Sequence, residues 1–261
     1  MSPPDRTPQR RYDRQVAYAP FGPAGQRALA AARVAIVGAG GLGSALAESL
    51  ARAGVGRLRL IDDDRVAWDN LHRQHLYTEA DAAAGRPKVA AAAERLAAIN
   101  ADVRVEPVEA RLVAANAGDL LDGADLVLDG TDNWAARFLL NDACIRDGRP
   151  WIYAGVVGGE AVTMSVLPGR TPCLRCVYDG PPPPCTEPTC RAVGVLGPAV
   201  HVIAGLQAFE AIKLLSGHPD ALRATLLRMD LWTNDIRQLD LAAPLADCPC
   251  CRRRRFDFLE G

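Results

Sequence analysis

Residues 61–74, IDDDRVAWDNLHRQ, set three consecutive acids, Asp62, Asp63 and Asp64, a few residues ahead of Asn70 and Arg73, and Lys88 follows in GRPK at the start of a helix. Arginine offers bidentate contacts to phosphate and lysine a point charge. Upstream, VAIVGAGGLG places Gly38, Gly40 and Gly43 in GxGxxG spacing after a strand and before a helix, where backbone amides can face a phosphate because no side chain intervenes. Asp62 closes the next strand about 20 residues later, the position of an acid on a ribose hydroxyl. One acid satisfies that role, so the remaining charge and the cations Arg73 and Lys88 beside it point to a polyphosphate ligand. In DLVLDGTDN, Asp132 and Asn133 lie in the turn beyond a strand, at the carboxyl edge of the sheet. A carboxylate there can hold Mg²⁺ against an α-phosphate, or the pair can cap the following helix as an Asx turn.

The cysteines suggest a second kind of chemistry. CLRC supplies Cys173 and Cys176, and CPCC supplies Cys248 and Cys251. Two CxxC knuckles make a closed, structural tetrahedral zinc site, in preference to four free thiols. Cys250 is an extra thiol able to replace a neighbour as ligand. Cys185 and Cys190 fall in the proline-rich stretch 177–194, VYDGPPPPCTEPTCRAVG, whose prolines predict an extended surface loop. Arg191 beside Cys190 favours its thiolate. Cys144, inside FLLNDACIRDG, fits a small buried apolar residue. The run at 252–255, CRRRRF, fits a solvated end or a dock for an acidic protein face.

The elements that position these groups follow from pattern. Short β-branched runs, RVAIVG, RLRLID, VRVEPV and DLVLDG, alternate with alanine-rich helical stretches, the signature of a Rossmann-like, mostly parallel α/β sheet flanked by helices. AVTMSVL, TLLRMDL and IRQLDL lack such crossovers and predict added antiparallel strands. A buried helix begins near Pro198, and the apolar run around it, broken by Gly-Pro, His and Gln, is expected to fall short of a membrane span. Residues 1–10 predict a loose tail and 11–261 a single domain. Thirty Lys and Arg against 31 Asp and Glu, net charge −1, provide no global field for nucleic acid or an anionic membrane. The N-terminus lacks the apolar core of a secretory signal, so a reducing, cytoplasmic location is expected, where closely spaced cysteines favour metal over disulfides.

RYDRQ, GAGGLGS, AGVGRLRLIDDD, DNLHRQ, GRPK, LDGTDN, CLRC, TCRAVGVLGP, LQAFEAIKLLSG and CPCC, in that order, resemble the ThiF/MoeB/HesA family of enzymes that activate ubiquitin-like carriers, and are closest to the ThiF branch. The resemblance implies adenylation, with Mg-ATP, of the C-terminal Gly-Gly carboxylate of a small carrier, releasing pyrophosphate. It implies that Gly41 lies under the nucleotide, that Asp62 holds the ribose within an acid group that includes Asp64, and that Asn70, Arg73 and Lys88 embrace the phosphates. Asp132, with Asn133 beside it, becomes the magnesium ligand, and Arg14 reaches the triphosphate of a partner subunit in a homodimer. Cys190 matches a thiol that takes part in sulfur transfer in some members. His72 stands where Gln is usual and Gly130 where Cys is usual. No rhodanese-like extension follows the knuckle, so a separate sulfur donor protein is expected. The competing readings are a relative acting on a tRNA base or a peptide, an NAD(P)-dependent oxidoreductase, which leaves Arg73, Lys88 and Asp132 without work, and a zinc-stabilised interaction module.

Overall fold

The computed structural model describes residues 11–182, 193–241 and 243–260. Eight strands form one sheet in the order β3-β2-β1-β4-β5-β6-β7-β8. β1 (Arg33–Val37), β2 (Arg57–Ile61), β3 (Arg104–Val108), β4 (Leu126–Asp129) and β5 (Trp151–Val157) pair in parallel. β6 (Glu160–Val166), β7 (Thr225–Asp230) and β8 (Asp235–Asp240) continue the sheet antiparallel. The mixed sheet agrees with the sequence pattern except at β5, WIYAGVV, which the pattern of crossovers did not single out. Its aromatic and β-branched residues suit a strand, and Gly158 and Gly159 turn it directly into β6, with Gly158 at φ +60°.

The helices are α1 (Asp13–Val16), α2 (Gly22–Ala31), α3 (Gly41–Ala53), α4 (Glu79–Ala83), α5 (Lys88–Ile99), α6 (Ala117–Leu121), α7 (Trp134–Arg146), α8 (Gly197–Leu215) and α9 (Asp257–Glu260). α3, α5 and α8 bury their apolar faces on one side of the sheet, around Leu46, Leu50, Leu96 and Ile203. α6 and α7 cover the other side, around Leu121, Phe138 and Leu140, and the cysteine knuckles join that core. Covered on both faces, β4 is buried along its whole length and β1 from its second residue onward, as parallel strands require.

α8 is the buried helix expected near Pro198, and only its composition departs from the expectation. Its length of 19 residues and mean hydropathy of 1.3 suffice, by composition alone, to cross a bilayer. Here it lies in the protein core instead, with Gln207 and Glu210 buried. The Gln207 amide donates to the carbonyls of Asp129 and Ile152 at 3.0 and 2.8 Å, tying β4 to β5. Because β2 and β4 flank β1, the loops after β1 and β4 leave the sheet toward opposite faces and open a crevice at its carboxyl edge.

Candidate active site

That crevice is a cavity of about 850 Å³. β1 ends at Val37 and the chain turns at Gly38, whose φ of +89° favours glycine. A Cβ on Gly43 would fall 1.7 Å from the Gly38 carbonyl oxygen, so the third glycine of the motif lets α3 close onto the turn. Gly40 occupies the N-cap of α3 and Gly41 its first position, and both line the cavity. Amides of a first helical turn have no partner within the helix and can serve a phosphate. Gly130 completes the close approach: a Cβ there would meet the Gly38 oxygen at 2.4 Å, so the missing side chain leaves room for the loop.

The three acids have three separate tasks. Asp62 accepts from the Ala39 amide at 2.6 Å and from the Asp64 amide at 2.8 Å, so its carboxylate shapes the glycine loop from behind. Tyr77, buried, donates its hydroxyl to the Ala39 carbonyl at 2.6 Å and clamps the same loop. Burial raises the Asp62 carboxyl above its ordinary 3.8, opposed by Lys88 and the two amides. Asp64 takes the Lys88 ammonium at 2.7 Å and, through its carbonyl, the Lys88 amide at 3.0 Å. Asp63 is exposed at the cavity wall. Although the three carboxylates lie within 4.8 Å of one another, two are already engaged.

Asn70 and Arg73 come from a tight turn after β2. The Asn70 carbonyl accepts from the amides of Arg73 and Gln74, both at 3.1 Å. The Arg73 guanidinium donates to the Asp69 carbonyl at 2.7 Å and meets His72 Nε2 at 2.7 Å, so His72 supports the arginine from its rear. α8 presses on this region from above. A Cβ on Gly197 would lie 2.6 Å from the His72 carbonyl, and one on Gly41 would lie 3.1 Å from Val200 Cγ1.

Across the cavity, Asn133 accepts from the Ala136 amide at 2.9 Å and caps α7, so the capping alternative holds for Asn133. Asp132 is exposed at the cavity wall beside it. The structure therefore brings Gly38, Gly40, Gly41, Asp62, Asp64, Asn70, Arg73, Lys88, Asp132 and Asn133 to one cavity, with Gly43 beneath its floor. Arg14, in α1, is exposed and does not line the cavity. Cys185 and Cys190 lie outside the described residues.

Pattern reading missed a buried pair behind Asp132. Asp129 is fully buried; its Oδ1 accepts from the amide and hydroxyl of Thr131 at 2.9 and 2.7 Å, and its Oδ2 lies 3.5 Å from Arg137 Nε. Burial raises the Asp129 carboxyl, opposed chiefly by Arg137. Arg137 donates to the Thr131 carbonyl at 3.1 Å and stacks its guanidinium over Trp134 and Tyr153. The pair thus fixes the Thr131 backbone that leads into Asp132. Position 137 is i+4 from Asn133, on the same face of α7, a spacing that could have flagged it.

The four knuckle thiols converge on the far side of α7. Sγ atoms of Cys173, Cys176, Cys248 and Cys251 all lie within 4.8 Å of one another. Cys173 is 3.9 Å from Cys176 and 3.6 Å from Cys248, and Cys176 is 3.5 Å from Cys251. Four sulfurs at about 2.3 Å from a tetrahedral ion stand about 3.8 Å apart, so the set fits such a cation. Burial and hydrogen bonds with Cys248 and Cys176 push the Cys251 thiol up to about 12, and a cation among the sulfurs reverses that cost. Cys250 stands outside the four; the Asn141 amide donates to its sulfur at 3.3 Å, while Asn141 Oδ1 accepts from the Leu174 amide at 2.8 Å. Cys144 is fully buried in α7, as expected.

The arginine run stays exposed, and three of its four residues also find partners within the chain. Arg254 donates to the carbonyls of Ile145 and Arg146 at the end of α7, both at 3.0 Å, and Arg253 and Arg255 pair with Asp247 and Asp257.

Comparison with known proteins agrees with this geometry. The chain is 42% identical over 250 residues to the sulfur carrier protein ThiS adenylyltransferase of Bacillus subtilis, covering 95% of this chain and 73% of that protein. It is 38% identical to the SAMP-activating enzyme E1 of Haloferax volcanii, covering 98% and 93%. Among solved structures, E. coli MccB with AMPCPP and MccA superposes with a TM-score of 0.81 at 25% identity, covering 95% of this chain and 76% of that one. Residues 12–250 match the ThiF family, and the chain belongs to it.

Proposed function

We propose that the protein is an ATP-dependent adenylyltransferase that activates the C-terminal Gly-Gly carboxylate of a small ubiquitin-like sulfur carrier. The observation that carries this reading is the convergence of Arg73, Lys88 and Asp132 with the glycine turn on one cavity. A relative at 42% identity is named for adenylating the carrier ThiS. Two relatives, at 42% and 38% identity, are thus named for carrier activation, which favours a carrier over a peptide or a tRNA base as acceptor.

The α3 amides and Arg73 and Lys88 hold the triphosphate, and Asp62 takes the ribose. A carrier carboxylate oxygen attacks the α-phosphorus, the bond from that phosphorus to the bridging oxygen breaks, and pyrophosphate leaves with the electron pair. The product is a mixed acyl-phosphate anhydride, and no proton need move. The protein's contribution is positioning and neutralisation of charge. Asp132 is the residue that would hold Mg²⁺, which supplies shielding of the phosphate charge when bound.

Arg14 completes the site from a second copy, making a homodimer the active unit. The exposed apolar side chains Val202 and Phe209 on α8 and Tyr18 beside α1 support an interface there. The four thiolates of Cys173, Cys176, Cys248 and Cys251 hold structural Zn²⁺, as suits a reducing cytoplasm. Sulfur comes from a separate donor protein, with Cys190 as the thiol that receives it or assists.

Exchange of labelled pyrophosphate into ATP, stimulated by a Gly-Gly carrier and lost in Asp132→Ala, tests the proposal. Stimulation by a peptide or tRNA in place of the carrier would redirect it, and binding of a nicotinamide nucleotide without exchange would overturn it.

A further inference from the structure

Beyond the knuckle the chain doubles back along α7 rather than leaving the body of the protein. Arg254 clasps the C-terminal carbonyls of α7, and from there α9 is held at three points. The Phe258 amide donates to Asp142 Oδ2 at 3.1 Å. Arg175 donates to Asp257 at 2.8 Å and lays its guanidinium 5.4 Å from the Phe258 ring centre. The Phe258 ring stacks on Phe138 at 4.9 Å with 24° between planes. So fixed, Phe258 reaches the wall of the nucleotide cavity, where it joins Leu112, Ala114 and Leu139. All four belong to one apolar cluster.

The cavity lining is therefore mixed. Glycine amides, Arg73 and Lys88 contribute phosphate-capable groups, Asp62 lies at the close of β2, and the apolar group makes a further wall. A nucleoside triphosphate asks for both, with charge at one end and a flat aromatic base at the other. We infer that Phe258, delivered by the segment beyond the cysteine knuckle, forms the base-contacting wall of the nucleotide site. This inference rests on the ATP reading above and goes beyond it by giving the segment after the knuckle a binding role. An aromatic ring there contributes through stacking and apolar burial, neither of which acts on the phosphates.

The test is calorimetric titration of the full-length protein with ATP and, separately, with inorganic tripolyphosphate. In Phe258→Ala, ATP affinity should fall about ten-fold while tripolyphosphate affinity stays at the wild-type value. Phe258→Leu keeps the packing on Phe138 and should lose about three-fold for ATP and nothing for tripolyphosphate; it decides the matter alone if the alanine variant does not fold. Unchanged ATP affinity in the folded variants, or an equal loss for both ligands, overturns the inference. Failure of the wild-type protein to bind ATP at all would instead overturn the proposed function.

Discussion

Lys88 Nζ lies 2.7 Å from Asp64 Oδ2, a buried ammonium held by a carboxylate whose side chain is 68% exposed. The acid keeps the lysine in place in the free protein, and its own exposure leaves it open to displacement by an anion. Asp64→Asn should lower the stability of the free protein by about 1 kcal/mol, because a mostly solvated partner is worth little more. ATP should then raise the melting temperature of the variant more than that of the wild type, since the triphosphate replaces the missing charge. Thermal denaturation with and without Mg-ATP reads both effects.

Asp62 titrates above the ordinary carboxylate value of 3.8 because burial disfavours its charge. Only the ionised form can accept from both ribose hydroxyls as well as from its two amides. Nucleotide affinity should therefore hold at neutral pH and fall as pH drops through that raised value, sooner than an ordinary aspartate would allow. For the free protein the sign is reversed: the native state binds this proton more tightly than the unfolded chain does. Its contribution to stability is full below 3.8 and is lost as pH rises through the native value. Titrations of ATP binding at a series of pH values, with Asp62→Asn as the control that removes the acid limb, check this.

Gly43→Ala places a methyl 1.7 Å from a backbone oxygen that has no free rotation to give. Either α3 lifts from β1 or the glycine turn moves. The expected outcome is a loss of about 2 kcal/mol in denaturant unfolding. ATP affinity should fall with it, because in the proposed function the same turn carries the amides that face the phosphates. Unfolding curves and nucleotide titration on one preparation measure both.

Metal content should distinguish the knuckle thiols from their neighbour. Cys176→Ser removes a ligand and should lose stoichiometric zinc, with about 3 kcal/mol or more of stability. Cys250→Ala should keep one zinc per chain, since its sulfur takes the Asn141 amide and lies outside the group of four. Elemental analysis of the purified variants gives the answer directly.

Much of the cavity lining was legible because its signals are local. The glycine spacing, the acid closing β2 and the lysine opening α5 each specify backbone geometry within a few residues, and the parallel sheet follows from strand and helix periods. Two CxxC pairs declare themselves even 75 residues apart, because each is a short knuckle. The spacing of Arg137 from Asn133 was legible, but its pairing with Asp129 was not, since that depends on β4 and α7 meeting in space and the residue types alone suggest solvated charge. Gln207 is similar: a polar residue in an apolar run looks like an interruption until β4 and β5 are seen to present it two carbonyls. The arginine run stays exposed, as a solvated end does, but the contact of Arg254 was not legible, its partner being the end of a helix more than 100 residues earlier. β5 escaped because it joins the parallel and antiparallel halves and belongs to neither repeating pattern.

The seating of α8 on the glycine turn has a mechanical corollary. Its first residue bears on the His72 backbone and its fourth on Gly41, and in sequence it directly follows the stretch that contains Cys190. A displacement of Gly197 would therefore bear on the His72 backbone and, through Val200, on the glycine turn. A helix that merely looked like core filling thus joins the turn at His72 to the glycine turn through two close approaches one turn apart.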